Sequence, residues 1–388
     1  MPAILKVIRR GGKIALALAI LAVMAAIVEL FAAGLMTEDC RIGRRILRGD
    51  EDAHLIRMQN TIGQSYLNYI CAPNFSREQT GQQHNEDGYR GRAVPLDKRP
   101  GVLRILCLGG STTYGWSVAY PHETYPAVLE ELVRADLPPG YDDVEVINAG
   151  LPWGTSAEIL THYHFKFHYY QPDIVVVNAG GNDANAYTYP YYHPDNSNWR
   201  QPLVNLGALP PRWRWLARSR AASLAILKIF YSPQLSGGQL HVRGGVKPAA
   251  AWFRPGGELL REPSEIPLDR LSFAHNLETL IREIQSDGAR VLLVPFRANP
   301  DSDRIKEFEM AQVIRHERIL KDFADTYQTG YAPFPAAVIS PANWTDHCHL
   351  NAAGERQKAA HIAGYINELA AGPTGAAPEP KQDSPGPS

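Results

Sequence analysis

The sequence predicts an α/β protein, a three-layer α/β/α sandwich on a parallel sheet, with an N-terminal transmembrane helix and a large lid insertion. Three observations predict it. Short, near-continuous apolar runs alternate with longer amphipathic stretches between about residues 100 and 370, the pattern of a parallel sheet covered on both faces. Three of those runs end in a loop that carries glycine, where α/β folds gather their ligand-binding residues. Ahead of them lies one long apolar run.

That run, Ile14 to Met36, holds a single charge, Glu29. About 20 apolar residues span a bilayer as a helix, so residues 1–36 read as a basic stub and a membrane anchor. Lys6, Arg9, Arg10 and Lys13 precede the run, as in a cytoplasmic n-region. A cleaved signal peptide competes with the anchor, but the run is longer than the ~7–15 apolar residues of a signal and no clear cleavage site follows. Arg41, Arg44, Arg45 and Arg48 tie the positive-inside count. The short stub and long remainder then favour a single-pass protein of the inner membrane with its bulk outside the cytoplasm. Glu29 lies near the exit end, where its carboxylate can reach the interface.

Composition excludes other classes. A net charge of −1 in 388 residues argues against a nucleic-acid partner. Four widely spread cysteines make no disulfide scaffold, although Cys40 and Cys71 can pair if they face an oxidising compartment, and Cys107 reads as core.

Residues 37–99 form a pre-domain segment. The domain itself, 100–371, begins with a strand at Val102–Leu108 and a helix at Pro126–Ala135. A strand at Val144–Asn148 and a helix at Ser156–Gln171 follow, then a strand at Asp173–Asn178. After residues 184–269 come a helix at Leu271–Ser286, a strand at Arg290–Pro295, and helices at Ile305–Tyr327 and Asn351–Ala370. The stretch 184–269 is too long for a plain loop and reads as an insertion or lid. It is loaded with aromatics, among them Tyr187, Tyr189, Tyr191, Tyr192, Trp199, Trp252 and Phe253, and holds a helix over Arg212–Tyr231. Residues 372–388, rich in proline, glycine and small polar residues, read as a disordered tail.

Three loops carry chemistry. Gly109-Gly110-Ser111-Thr112-Thr113 places a serine just after a strand, where it serves either as a nucleophile at the top of the sheet or as a helix N-cap. A phosphate loop fails because Trp116 stands where its lysine should follow Gly115. Asp346-His347-Cys348-His349 supplies a base: an aspartate three residues before a histidine can hold one ring nitrogen and leave the other free. Gly180-Gly181-Asn182-Asp183 is either a tight turn or the source of an amide that donates to an oxyanion.

In order and spacing these blocks resemble the SGNH (GDSL-type) serine hydrolases over about residues 88–370, with Gly110 where the family more often has aspartate. Asp87-Gly88-Tyr89-Arg90-Gly91 and the N-terminal helix look like the membrane-anchored bacterial branch. The resemblance implies a flavodoxin-like layout with Ser111 as nucleophile and His349 as general base and then acid. Asp346 would orient the histidine, and Ser111 N–H and Asn182 would donate to the oxyanion. The second block departs from the family: in Asn148-Ala149-Gly150-Leu151-Pro152-Trp153-Gly154 the usual glycine slot holds Trp153. Gly154 is the expected third donor, Gly150 the alternative.

The implied activity is that of an esterase working through an acyl-enzyme, with no cofactor or metal. Its substrate would be an acyl ester, short-chain carbohydrate esters first and lipid esters second. An O-acyltransferase on the same site, or an inactive scaffold that binds envelope components, are the alternatives. His162, His164 and His168 lack the glutamate of a zinc-binding helix and read as packed or solvated. A metal at His347, Cys348 and His349 would consume the base.

Overall fold

The computed structural model describes residues 2–50, 60–77, 80–186, 208–234, 239–242, 271–302 and 307–371, in two compact units. One unit gathers residues 61–202 and 246–388, the other residues 1–60 and 203–245.

The larger unit opens with an antiparallel hairpin, β1 (Thr61–Gln64) and β2 (Asn68–Cys71). Its five-stranded parallel sheet follows: β3 (Val102–Gly109), β4 (Asp143–Gly150), β5 (Ile174–Ala179), β6 (Arg290–Pro295) and β7 (Gly330–Tyr331). The order is β7-β6-β5-β3-β4. Alternate residues of each strand serve two cores. Leu106, Leu108, Val175 and Val177 face α5 (Ser156–Phe165), α8 (Ser272–Ser286) and α9 (Glu307–Tyr327). Leu103, Ile105, Cys107 and Val176 face α4 (Tyr125–Ala135) and α10 (Ala352–Ala371). Burial on both faces is why these strands read as unbroken apolar runs. The exception is Arg104, fully buried beside its cross-strand partner Glu145 at 2.7 Å, with Tyr170 and Leu96 carbonyls accepting its other guanidinium nitrogen. A buried charge is tolerable only with such partners.

The chain runs β3 to β4 on one side, then crosses to β5 on the other. This reversal puts a crevice at the carboxyl end of β3, the usual ligand position in open α/β sheets.

Several local expectations need correction. The helix expected to reach Gln171 stops at Phe165; a 3₁₀ turn, Phe167–Tyr170, closes with Gln171 left-handed at φ 51°. The helix expected over Arg212–Tyr231 breaks at Ser219 into a 3₁₀ helix, Pro211–Arg218, and α7 (Arg220–Phe230). The cause is a cap: Ser219 Oγ accepts from Ala222 N–H, and the Glu29 carboxylate accepts from Arg220 N–H at 2.8 Å and from the Ser219 hydroxyl. Glu29 thus has a partner within its own unit. A helix at 38–48 escaped notice because its arginines were read only as charge. It is α2 (Glu38–Arg48), capped by Thr37 and stopped at Gly49 in the left-handed region. Cys40, Cys71, Cys107 and Cys348 are each buried as free thiols.

The smaller unit is mostly helical, with one antiparallel hairpin that pairs Tyr231–Gln234 with Gln239–Val242. α1 (Pro2–Leu35) contains a stretch, Gly11–Leu35, long and apolar enough to cross a membrane. Met36, Cys40, Leu47, Ala217 and Leu227 form this unit's core, so the described part of the long insertion folds with the N-terminal helices. The aromatics at 187–199 and at 252–253 lie outside the described residues, as does the tail 372–388.

Of the histidines singled out in the sequence, His162 is buried and His164 exposed on α5, while His168 lies in the following 3₁₀ turn. His162 Nε2–H donates to Tyr69 O at 2.8 Å, and burial pushes its pKa down to about 4. A histidine whose folded pKa lies below its unfolded value supports folding above about pH 6.5 and loses that support as pH falls toward 4. His162→Gln, which keeps a donor for Tyr69, is expected to flatten the acid loss of stability by about one proton, ~1.4 kcal/mol per pH unit. Urea unfolding of both proteins between pH 7 and 5 checks this.

Candidate active site

Ser111 opens a single helical turn, α3 (Ser111–Tyr114), directly after β3. Gly110 takes the cap position, so the serine hydroxyl is not spent on capping. Gly115 ends the turn at φ 77°, in the left-handed region suited to glycine. A Cβ at Gly110 would stand 2.8 Å from Asn182 Nδ2, so a longer residue before the serine would need the Asn182 amide to shift.

His349, the candidate base, comes from a loop pinched between Trp344 and Leu350, which form an antiparallel bridge, with Thr345 N–H bonded to His349 O at 2.9 Å. Inside the pinch the Asp346 carboxylate turns back on its own loop. Its Oδ1 accepts from the N–H groups of Cys348 and His349, each at 2.8 Å, and its Oδ2 meets His349 Nδ1 at 2.7 Å. His349 Nε2 lies 2.8 Å from Ser111 Oγ. Burial pushes the Asp346 carboxyl up, but the bonds and charge of His349 and the two backbone N–H groups outweigh it and hold the pKa well below the usual range. The carboxyl therefore stays ionised at neutral pH. Asp346, His347 and Cys348 also bring ligand atoms within 4.8 Å of one another, but both Asp346 oxygens are already engaged. Burial meanwhile raises the Cys348 thiol above the usual range, against metal ligation as a thiolate.

Asn182 sits on α6 (Gly181–Ala186), the turn after β5. Its Nδ2 donates to Gly154 O at 2.9 Å. The Gly154 carbonyl thus faces Asn182 while its N–H donates to Leu151 O at 2.9 Å. Gly150 N–H is likewise committed, to Asn148 Oδ1 at 3.0 Å. Both backbone donors weighed from sequence are engaged inside their own loop. Trp153, in the glycine slot, adopts φ 64°. The slot demands a left-handed residue, which explains why glycine is usual there and why tryptophan is strained by about 1–2 kcal/mol.

Sequence reasoning missed the residues that hold these loops. Arg90, 2% exposed, donates to the carbonyls of Tyr114, Gly115, Val118 and Ala119 and so fastens the chain just beyond Ser111. Tyr69 hydroxyl donates to Pro152 O at 2.7 Å. Buried Asp183 accepts from Ser156 N–H at 3.0 Å and from its hydroxyl at 2.5 Å, joining the Asn182 turn to the start of α5; burial pushes its carboxyl up to about 6. His316 Nδ1–H donates to Gly180 O at 2.9 Å. Lys358 Nζ donates to Asn178 Oδ1 at 2.8 Å and to Thr112 O at 3.2 Å, beneath the nucleophile turn. Arg90 had a sequence signal in Asp87-Gly88-Tyr89-Arg90-Gly91, and Asp183 closes the Gly180-Gly181-Asn182-Asp183 block. Tyr69, His316 and Lys358 are single residues on distant elements.

A parallel α/β sandwich whose switch-point crevice holds a serine, a histidine and an aspartate in hydrogen-bonded line defines the class of serine acylhydrolases. Residues 107–357 match the profile of the GDSL-like lipase/acylhydrolase family. The chain belongs to that family, the SGNH hydrolases of the sequence comparison above, and is a hydrolase acting on ester bonds. Among solved structures it is similar to a lipase/acylhydrolase from Enterococcus faecalis, at 18% identity over 69% of this chain and 96% of that one, TM-score 0.42. It is also similar to a catalytic mutant of an acetylxylan esterase from Geobacillus stearothermophilus, at 14% identity over 68% and 93%, TM-score 0.40. A GDSL-like lipase from Bacteroides thetaiotaomicron shares 14% identity over 69% and 87%, TM-score 0.36. Comparison with curated proteins gives no match.

Proposed function

We propose that the chain is a membrane-anchored serine esterase in which Ser111, His349 and Asp346 form the triad. The observation that carries this is the unbroken line from Asp346 Oδ2 through His349 to Ser111 Oγ, with steps of 2.7 and 2.8 Å. His349 takes the Ser111 proton as Oγ attacks the ester carbonyl, then gives it to the leaving alcohol. Water, activated by the same imidazole, releases the acid from the acyl-enzyme. Asn182 Nδ2 carries two hydrogens; one goes to Gly154 O, which orients the amide, and the other is left for the oxyanion beside Ser111 N–H. In this scheme Gly154 acts through its carbonyl as a positioning residue.

The first substrate class is short-chain carbohydrate esters, with lipid esters second. Trp153, 45% exposed on the loop next to Asn182 and strained into its φ, offers an aromatic face suited to stacking on a sugar ring. The apolar helix Gly11–Leu35 supports a membrane anchor, which we place in the inner membrane with the larger unit outside the cytoplasm.

The test is hydrolysis of p-nitrophenyl acyl esters of increasing chain length by the full chain in neutral detergent, with Ser111→Ala beside it. A rate highest for acetate and lost in the variant supports the esterase. Equal rates in both proteins, with folding shown by circular dichroism, would sink it in favour of a binding scaffold. Trp153→Gly is expected to keep the rate on p-nitrophenyl acetate within about threefold. On an acetylated oligosaccharide it is expected to lower kcat/KM about tenfold, the loss of one aromatic contact of ~1.4 kcal/mol. Equal effects on the two substrates would remove the stacking role.

A further inference from the structure

The smaller unit holds a cavity of about 400 Å³ whose walls are arginine. Arg41, Arg44, Arg45 and Arg48 reach it from α2 and Arg220 from the start of α7, while Ala33 and Met36 line it where the apolar helix ends. Part of this charge has a local role. Arg44 donates to Ala217 O at 2.9 Å and to Arg218 O at 2.6 Å, and Arg45 and Arg48 approach Asp50 at 3.5 and 3.4 Å, complementing the carbonyl end of α2. Those roles do not account for Arg41 and Arg220, whose guanidinium groups have no ion-pair partner among the described residues. Glu29 is turned toward Ser219 and the backbone of α7. Burial, then the positive fields of Arg48 and Arg220, push the Arg44 guanidinium below its usual range. Like charges converge there with too few anions to balance them.

The position of the cavity points to what supplies the missing anion. The 25 residues of Gly11–Leu35 extend about 37 Å as a helix, against ~30 Å of hydrocarbon. Ala33 and Met36 therefore leave the membrane at the depth of the headgroups. On the same unit Trp213 and Trp215, 47% and 58% exposed, alternate with Arg212, Arg214 and Arg218, the pairing found at membrane interfaces. Guanidinium forks match phosphate oxygens two at a time, which ammonium groups do not.

We propose that this cavity binds a phosphate group, presented as the headgroup of an anionic phospholipid at the end of the apolar helix. The site would hold the enzyme against an anionic leaflet and is separate from the esterase chemistry. The inference rests on the anchor assigned under Proposed function.

The experiment is native mass spectrometry of the full chain in neutral detergent, with dioleoylphosphatidylglycerol, dioleoylphosphatidylcholine or inorganic phosphate added in separate arms. The double variant Arg41→Gln/Arg220→Gln is run beside the parent, and Arg48→Gln serves if the double variant does not fold. The expected result is retention of phosphatidylglycerol at least tenfold above the variant, with phosphatidylcholine equal in the two. Variant-sensitive binding of inorganic phosphate without phosphatidylglycerol supports the phosphate site and moves its source to a soluble ligand. An intact chain that retains neither anion better than its variants overturns the proposal and leaves the anchor standing. A recovered mass lacking the N-terminal helix overturns both, because Ala33 and Met36 leave with it.

Discussion

Replacing Ser111 with alanine is expected to lower kcat for ester hydrolysis by about 10⁶, and Asp346→Asn by about 10⁴, with KM changed less than threefold in each. The two magnitudes differ because the groups do different work. In the proposed scheme Ser111 Oγ forms the covalent bond, so its loss removes the acyl-enzyme route. Asp346 would not touch substrate; it would fix the His349 tautomer through Oδ2, and it tightens the loop through Oδ1. Asparagine at 346 keeps the shape but can present an N–H to Nδ1, which turns the imidazole proton toward Ser111 and leaves no base. The double variant Ser111→Ala/Asp346→Asn is expected to match Ser111→Ala alone, because residues that act as a unit are not additive. Steady-state rates with p-nitrophenyl acetate measure all three. A drop under tenfold for Asp346→Asn would place the orienting group elsewhere.

Arg90→Ala is expected to be the most destabilising single change among the residues around the site. Its guanidinium is buried and holds four carbonyls that follow the nucleophile turn. Truncation leaves those acceptors without a donor in a place water does not reach, and hydrogen bonds to a charged group contribute about 1.5–3 kcal/mol each. Two such losses already cost about 4 kcal/mol, which corresponds to a fall of about 8 °C or more in the midpoint of the larger unit. Arg90→Lys is expected to recover little, since one ammonium cannot reach carbonyls on both arms of the fork. Differential scanning calorimetry reads the midpoint, and Ser111 reactivity toward a fluorophosphonate probe at 25 °C reads the site. A midpoint unchanged within 2 °C of the parent would show that the loop closes without Arg90.

The strands that carry the site were legible because each is buried on both faces, and an unbroken apolar run such as Val175-Val176-Val177 has few other uses. The site blocks were legible for a different reason. Nucleophile, base and oxyanion donor each need a particular functional group on a loop at a strand end, and the sequence offers Ser111 and Asn182 in glycine-marked segments and His349 three residues after Asp346 as candidates. The path of the second block was not legible in the sequence because it depends on backbone direction. Whether Gly154 points its N–H or its carbonyl toward Asn182 depends on the dihedral angles of Trp153, which the residue names do not specify. The helix break at Ser219 was hidden for a similar reason. Its cause is a carboxylate from Glu29, 190 residues earlier in the chain.

From sequence alone came the fold class, the three blocks in order, and the apolar helix, all of which depend on local composition and on spacing along the chain. Tertiary structure alone decided the strand order that puts Ser111 at the switch point, the clamp by Arg90, the ties made by Asp183, His316 and Lys358, and the gathering of five arginines around one cavity. Each of these joins residues far apart in the chain. Such contacts exist only once the apolar faces have been buried, and the polar groups carried in with them must then find partners wherever packing has placed them.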